Sequence, residues 1–110
     1  MTDFEEKFQR ALEALESVGK SYANAKVISW YLQELKKVIL AHEMSKVEGS
    51  EAKRERLALA SEPYRLHLEG TKEAIGEELR LKVKHEKLQY QIEAYRSLCG
   101  IEKAQMNLAR

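Results

Sequence analysis

The sequence predicts an all-α protein, a helical hairpin or small bundle built on one very long, coiled-coil-like C-terminal helix. Five glycines and one proline in 110 residues leave few places where regular structure must break. Leu, Ala, Glu, Lys and Arg, which favour helices, are abundant. With 44% hydrophobic and 34% charged residues, the chain is too apolar for a disordered protein. We therefore expect a single helical domain over residues 1–110.

A first helix is predicted over about residues 3–18. Thr2 can cap its start, because a threonine hydroxyl accepts a hydrogen bond from a backbone amide of the first turn. Apolar residues then recur at three- and four-residue steps on one face: Phe4, Phe8, Ala11, Leu12, Leu15 and Val18. Gly19 offers a C-terminal stop. We expect this helix to close a groove between two longer ones.

A second helix is predicted over about residues 21–48, with Ser21 as its cap and Gly49 after its end. Its apolar residues cover a broad arc, which indicates packing on more than one side. We therefore expect it to lie antiparallel on the long C-terminal helix. A short charged helix, entered at Ser50, is predicted at about residues 52–59.

The long helix is predicted over about residues 62–99. Ser61-Glu62-Pro63 is typical of a helix entry, since proline is tolerated in a first turn. Gly70 and Gly76 each cost about 1 kcal/mol relative to alanine, which packing can offset. At 1.5 Å per residue the helix would be about 55 Å long. Gly100 is expected to end it, which leaves residues 100–110 as a tail.

Two apolar stripes run along the second half of this helix. One consists of Leu79, Val83, Tyr90, Ala94, Leu98 and Ile101, and the other of Leu81, His85, Leu88, Ile92, Tyr95, Cys99 and Met106. One shorter helix cannot cover both, so either the first two helices sandwich the long one or the second stripe meets another copy of the chain. We predict a homodimer through Leu81, Leu88, Ile92 and Tyr95, because a bare row of that length would be a large apolar patch.

Residue patterns of catalysis, of metal binding and of cofactor binding are not found. The spacing of a metal site is absent from the three histidines, His42, His67 and His85. Because Cys99 lies in an apolar stripe, we expect it to pack as a small hydrophobic residue. We therefore predict that the protein is not an enzyme and holds no metal or cofactor. No stretch approaches the roughly 20 apolar residues of a membrane span. The absence of a signal-peptide pattern and the single cysteine favour the cytoplasm.

Two groups of residues are candidates for binding. The basic C-terminal third offers Arg80, Lys82, Lys84, Lys87 and Arg96 for phosphate contacts and Tyr90 for base stacking. The alternative is a solvated flank, because adjacent helix positions diverge by about 100°. Trp30 would be a hot spot for a partner if exposed, and part of the core if buried. Since Tyr31 is its neighbour, we expect one of these two aromatic residues in the core and the other near the surface.

Several runs resemble a group of small all-helical bacteriophage proteins of unknown function: Tyr31-Leu-Gln-Glu-Leu with Glu43 to Glu48, Ala58-Leu-Ala-Ser-Glu-Pro-Tyr64, Leu68-Glu-Gly70 and Ile92-Glu-Ala-Tyr-Arg-Ser-Leu98. The resemblance covers about residues 40–98. Genes of this group often lie near those of single-strand-annealing recombinases or replication proteins, so the resemblance implies a phage protein acting in a bacterial cytoplasm. We expect a non-enzymatic interaction protein that binds another protein of recombination, replication or host defence. The alternative is direct binding of single-stranded DNA by the basic C-terminal third.

Overall fold

Three α-helices make up almost all of the computed structural model, which describes residues 2–108. Helix α1 spans Asp3–Ser45, α2 spans Glu51–Leu59 and α3 spans Glu62–Leu108. Residues 2–108 contain no β-strand. The predicted all-α class and the very long C-terminal helix are confirmed.

Helix α1 replaces the two N-terminal helices that the sequence predicted. It begins beside Thr2, whose Oγ1 accepts a hydrogen bond from the Glu5 amide at 3.1 Å, as expected for a cap. It then continues through Gly19 without a break, and it ends at Ser45 rather than near residue 48. A Cβ atom at Gly19 would lie 3.4 Å from His85 Nε2, so this part of the helix packs closely against α3. The glycine's cost of about 1 kcal/mol is too small to stop a helix that is held by such packing.

The loop between α1 and α2 is built from a glycine and a capping serine. Gly49 has φ 127°, a conformation that favours glycine. Ser50 Oγ accepts a hydrogen bond from the Lys53 amide at 3.2 Å and caps α2, as predicted. Arg54 Nε donates to the Met44 carbonyl in the last turn of α1 at 3.1 Å. This bond fixes the start of α2 against the end of α1.

Helix α3 begins where the sequence predicted and ends later. The Tyr64 amide donates to Ser61 Oγ at 3.4 Å, and Pro63 lies in the first turn. The helix continues through Gly100 to Leu108, so the predicted end near residue 99 is wrong. Of the predicted tail, residues 100–108 are helical, and residues 109 and 110 lie outside the described residues.

The chain packs as two compact units. Unit 1 consists of Met1–Tyr22 with Arg80–Arg110, and unit 2 consists of Ala23–Leu79. In each unit a segment of α1 lies antiparallel to a segment of α3, and α2 belongs to unit 2. Residues 3–22 therefore pair directly with α3 in unit 1. The expected arrangement, in which a first helix closes a groove between two others, is wrong.

A fully buried serine and a hydrogen bond between helices contribute to the contact of α1 with α3 in unit 2. Ser29 is fully buried on α1. His67 Nε2 on α3 lies 2.7 Å from the Leu32 carbonyl, which can only accept, so this nitrogen must carry a proton. The Thr71 hydroxyl donates to the His67 carbonyl at 2.8 Å. A side chain that hydrogen-bonds to the backbone of the facing helix fixes the register of the two helices and also adds to their stability.

The glycines lead to a prediction about stability. A Cβ atom at Gly76 meets nothing within 4 Å, whereas Gly49 has φ +127°. Gly76→Ala should raise the free energy of unfolding by about 0.5–1 kcal/mol, because alanine loses less conformational entropy in a helix. Gly49→Ala should lower it by about 1 kcal/mol or more, because alanine is strained at positive φ. Chemical denaturation followed by circular dichroism measures both. Equal effects of the two variants would contradict the backbone conformation described for Gly49.

A second prediction concerns the first turn of α3, where Arg65 bridges the carboxylates of Glu62 and Glu69. The hydrogen bond from Arg65, and then its charge, hold the pKa of Glu62 below its ordinary value. A carboxyl group whose pKa is lower in the folded state stabilises that state above its ordinary pKa, and the contribution is lost as the pH falls through the lowered value. Arg65→Gln should therefore raise the pKa of Glu62 in an NMR titration. Lys72→Gln, an exposed change on the same helix, is the control and should leave it unchanged.

Candidate functional site

Aromatic side chains form the seam of unit 1. The Tyr95 ring on α3 contacts Phe4 and Phe8 of α1 edge to face, at centroid distances of 5.4 Å and 5.9 Å. Ile92, one turn earlier, is only 3% exposed. Such aromatic pairs add stability beyond the area they bury. This face of α3 is therefore occupied by α1 of the same chain.

The four residues predicted to form a dimer interface lie in this seam. Ile92 is buried, and Leu81, Leu88 and Tyr95 are half-buried. Leu88 and Tyr95 border a shallow groove with Ala11 and Ala14 of α1. The premise that this row would be bare is thus wrong, because α1 covers it. Dimer formation itself stays a prediction, but these residues face the chain's own helix.

The other apolar stripe of α3 is the one that α1 leaves uncovered. Tyr90 is 72% exposed, and Val83, Leu98 and Ile101 are exposed by half or more. Sequence periodicity could not separate the two stripes, because both fit a helix equally well. The choice depends on which row meets Phe4 and Phe8. Unit 1 therefore presents a bare apolar face on α3.

The predicted nucleic-acid residues lie on more than one side of α3. Arg80, Lys82, Lys84, Lys87, Tyr90 and Arg96 are all exposed. At about 100° per residue, Arg80, Lys84 and Lys87 fall in one row, while Lys82 and Arg96 fall on the opposite flank. The structure thus groups three of the five cations and separates the other two from them.

The row that contains Lys84 and Lys87 changes character along its length. The same three- and four-residue steps continue through Gln91 and Ala94 to Leu98 and Ile101, and all six residues are exposed. We call Lys84, Lys87, Gln91, Ala94, Leu98 and Ile101 the basic–apolar row. Tyr90 lies beside it. The row offers cations at one end and apolar side chains at the other.

Trp30 and Tyr31 are both exposed, by 60% and 55%, so the expectation that one of them lies in the core is wrong. Ser29, which precedes them, takes the buried position instead and accepts a hydrogen bond from Gln33 Nε2 at 3.0 Å. Both aromatic residues then point away from the seam. The small residues Ala25 and Ser29, four positions apart, were the sequence feature that could have revealed this. We call the exposed residues Val27, Trp30, Tyr31 and Val38 the Trp face of unit 2.

The histidines and the cysteine have local structural contacts. His67 bonds to the Leu32 carbonyl in unit 2, His85 lies 5.7 Å from the Tyr22 ring in unit 1, and His42 is exposed. Cys99 is half-buried beside the unit 1 seam. Residues 2–108 contain no group of three or more His, Cys, Asp or Glu side chains placed to hold a metal ion. Over the same range, no helix is long and apolar enough to cross a membrane.

No family model, no curated protein and no solved structure matches the chain. The resemblance to small helical phage proteins therefore stays a prediction.

The seam predicts a difference between two neighbouring apolar residues of α3. Ile92→Ala should lower the free energy of unfolding by about 2–5 kcal/mol, because it leaves a cavity against α1. Tyr90→Ala should change it by less than about 0.5 kcal/mol, because that ring is mostly in solvent. Denaturation at a low and a high protein concentration tests this. If the loss for Ile92→Ala appeared only at the high concentration, Ile92 would lie between copies of the chain instead.

Proposed function

We propose that the protein is a non-enzymatic interaction protein that binds an amphipathic helix of another protein along the basic–apolar row of unit 1. The observation that carries the proposal is the exposure of this row on the face of α3 that α1 leaves bare. Lys84 and Lys87 stand at one end of the row, and Leu98 and Ile101 at the other. The partner helix should therefore be acidic at one end and apolar at the other.

The two ends of the row do different work in binding. Leu98 and Ile101 at one end, and Tyr90 beside the middle of the row, provide apolar area, and tyrosine is a common hot-spot residue. A helix presents anchors at three- and four-residue steps, which matches the spacing of the row. Lys84 and Lys87 would attract acidic residues and set the direction in which the partner lies. Because α1 packing already orders α3 here, little conformational entropy is lost on binding.

The class of partner follows from the resemblance to phage proteins. Because of this resemblance, the first partners to test are proteins of recombination, replication or host defence in the cytoplasm of a bacterial host. Binding to single-stranded DNA is the competing function, with Lys84 and Lys87 on phosphates and Tyr90 stacked on a base. Lys82 and Arg96 lie on the other flank of α3, so the cations do not follow one strand path. The geometry therefore favours a protein partner.

The test compares capture of bacterial proteins by the full-length chain and three double variants. Lys84→Gln with Lys87→Gln alters the basic end, and Leu98→Ser with Ile101→Ser alters the apolar end. Lys82→Gln with Arg96→Gln is the control, with matched loss of charge on the opposite flank. We expect the parent and the control to retain the same protein from phage-infected cells. Both row variants should lose it by about tenfold or more, at unchanged helicity.

Single-stranded DNA binding, measured in parallel against salt, separates the two functions. If DNA is bound with a log–log slope of about −0.7 per phosphate contacted, and only the basic variant reduces that slope, nucleic-acid binding replaces the protein partner. If a protein is captured equally by all four forms, the row is not its binding site.

A further inference from the structure

We propose that the Trp face of unit 2 pairs with the same face of a second copy of this chain, with the two α1 segments antiparallel about a two-fold axis. The surface lies opposite the seam that α1 makes with α3. Val27, Trp30, Tyr31 and Val38 are each exposed by 55% or more. The inference is independent of the proposed function, which concerns α3 in unit 1.

The outward side of α1 changes composition at the start of unit 2. Among residues 3–22 its outward positions are polar or charged: Asp3, Glu6, Gln9, Arg10, Glu13, Glu16, Ser17 and Lys20. From residue 23 onward, the same heptad positions carry the apolar or aromatic Val27, Trp30, Tyr31 and Val38 among the polar Asn24, Glu34 and Lys37. A helix face that contacts only water is not expected to change its composition in this way. Contiguous exposed apolar side chains of this kind mark interaction sites.

Together with Glu34, which lies between them in sequence, three members of the Trp face have a spacing that is self-complementary in an antiparallel pair. Val27, Tyr31, Glu34 and Val38 follow one another at steps of four, three and four, which read the same from either end. In an antiparallel pair, Val27 of one copy therefore lies opposite Val38 of the other. Tyr31 then lies opposite Glu34, and its hydroxyl can donate to that carboxylate. The central positions of the pair thus form an apolar contact and a hydrogen bond.

The flanking positions agree with the same register. Trp30 comes opposite Lys37 of the second copy, which allows the ammonium group to lie over the indole ring. On the other side, Ile28 comes opposite Leu35. The two-fold axis repeats each of these contacts. One flank thus pairs a cation with an aromatic ring, and the other pairs two apolar side chains.

Other arrangements of the same helices are less favourable. A shift by one heptad in one direction brings Lys37 opposite Lys37, and a shift in the other direction places Glu34 opposite Asn24 and removes Val38 from the apolar contact. A parallel pair would place Glu34 opposite Glu34. Like charges that face each other oppose association. The Trp face thus favours the antiparallel orientation, and the register with Val27 opposite Val38 is the one that keeps both valines in the apolar contact.

The expected dimer is reversible. Roughly eight side chains from each copy would take part, which puts the buried area near the lower limit of about 1,200 Å² for specific interfaces. Interfaces of this size are typical of weak or transient complexes, so we expect a dissociation constant in the micromolar range. Val27→Asp and Trp30→Ala should each raise it by about tenfold or more. Helicity should not change, because both side chains are exposed.

Sedimentation equilibrium from low to high micromolar concentration measures this. Tyr90→Ser, on α3 of unit 1, is the control and should leave self-association unchanged. A chain that stays monomeric throughout, or a dimer that Val27→Asp and Trp30→Ala leave intact, would overturn the proposal. If Val27→Asp and Trp30→Ala abolish the dimer but retain partner capture, this inference is supported independently of the proposed function. If they abolish partner capture but leave the dimer intact, this inference is overturned.

The register is tested by disulfide formation in a Cys99→Ala background. A mixture of Val27→Cys chains with Val38→Cys chains should form a cross-linked dimer on mild oxidation, because these positions face each other across the two-fold axis. Either variant alone should cross-link far less. Cross-linking of a single variant as efficiently as the mixture would show a different register and overturn the antiparallel pairing described here.

Discussion

The pairing of one face of α1 with one face of α3 is the constraint on which the rest of the molecule depends. Each unit satisfies it with different chemistry. In unit 1 the contact is aromatic, with Tyr95 against Phe4 and Phe8. In unit 2 it is close and partly polar, with Ser29 fully buried and His67 bonded to the Leu32 carbonyl. Apolar burial is not directional, whereas a hydrogen bond to a backbone carbonyl is. The helix register of unit 2 is therefore set by a directional hydrogen bond, and that of unit 1 by the packing of its side chains.

The elements that sequence predicted well are those that local chemistry decides. Thr2, Ser50 and Ser61 accept amide hydrogen bonds at the three helix starts, as their side chains and neighbours indicated. The continuity of α1 at Gly19 was missed for the opposite reason. A glycine stop signal is worth about 1 kcal/mol, and contacts with a helix far away in sequence, here at His85, outweigh it. Such contacts are not visible in a local pattern.

The binding residues show the same division. The sequence identified the cations and Trp30 as candidates, but their arrangement depends on which side of each helix is covered. Two stripes of α3 have equal periodicity, and only the position of Phe4 and Phe8 decides that the row with Ile92 is buried and the row with Tyr90 is bare. Likewise, Trp30 is exposed because Ser29 takes the buried position. The four residues predicted to form the dimer interface therefore lie in the unit 1 seam, where α1 of the same chain covers them.

A helix paired on one face keeps its other faces for further contacts, and the order of residues along a face limits what can bind there. The basic–apolar row runs from Lys84 to Ile101 and differs at its two ends, so it cannot match a copy of itself lying in parallel without bringing like charges together. It suits a different molecule with a direction of its own. The spacing of Val27, Tyr31, Glu34 and Val38 reads the same in both directions, so this part of α1 can pair with a second copy of itself in the reversed direction. A row that differs at its two ends and a face whose spacing is symmetric thus favour two kinds of association, one with another protein and one with a second copy of the chain.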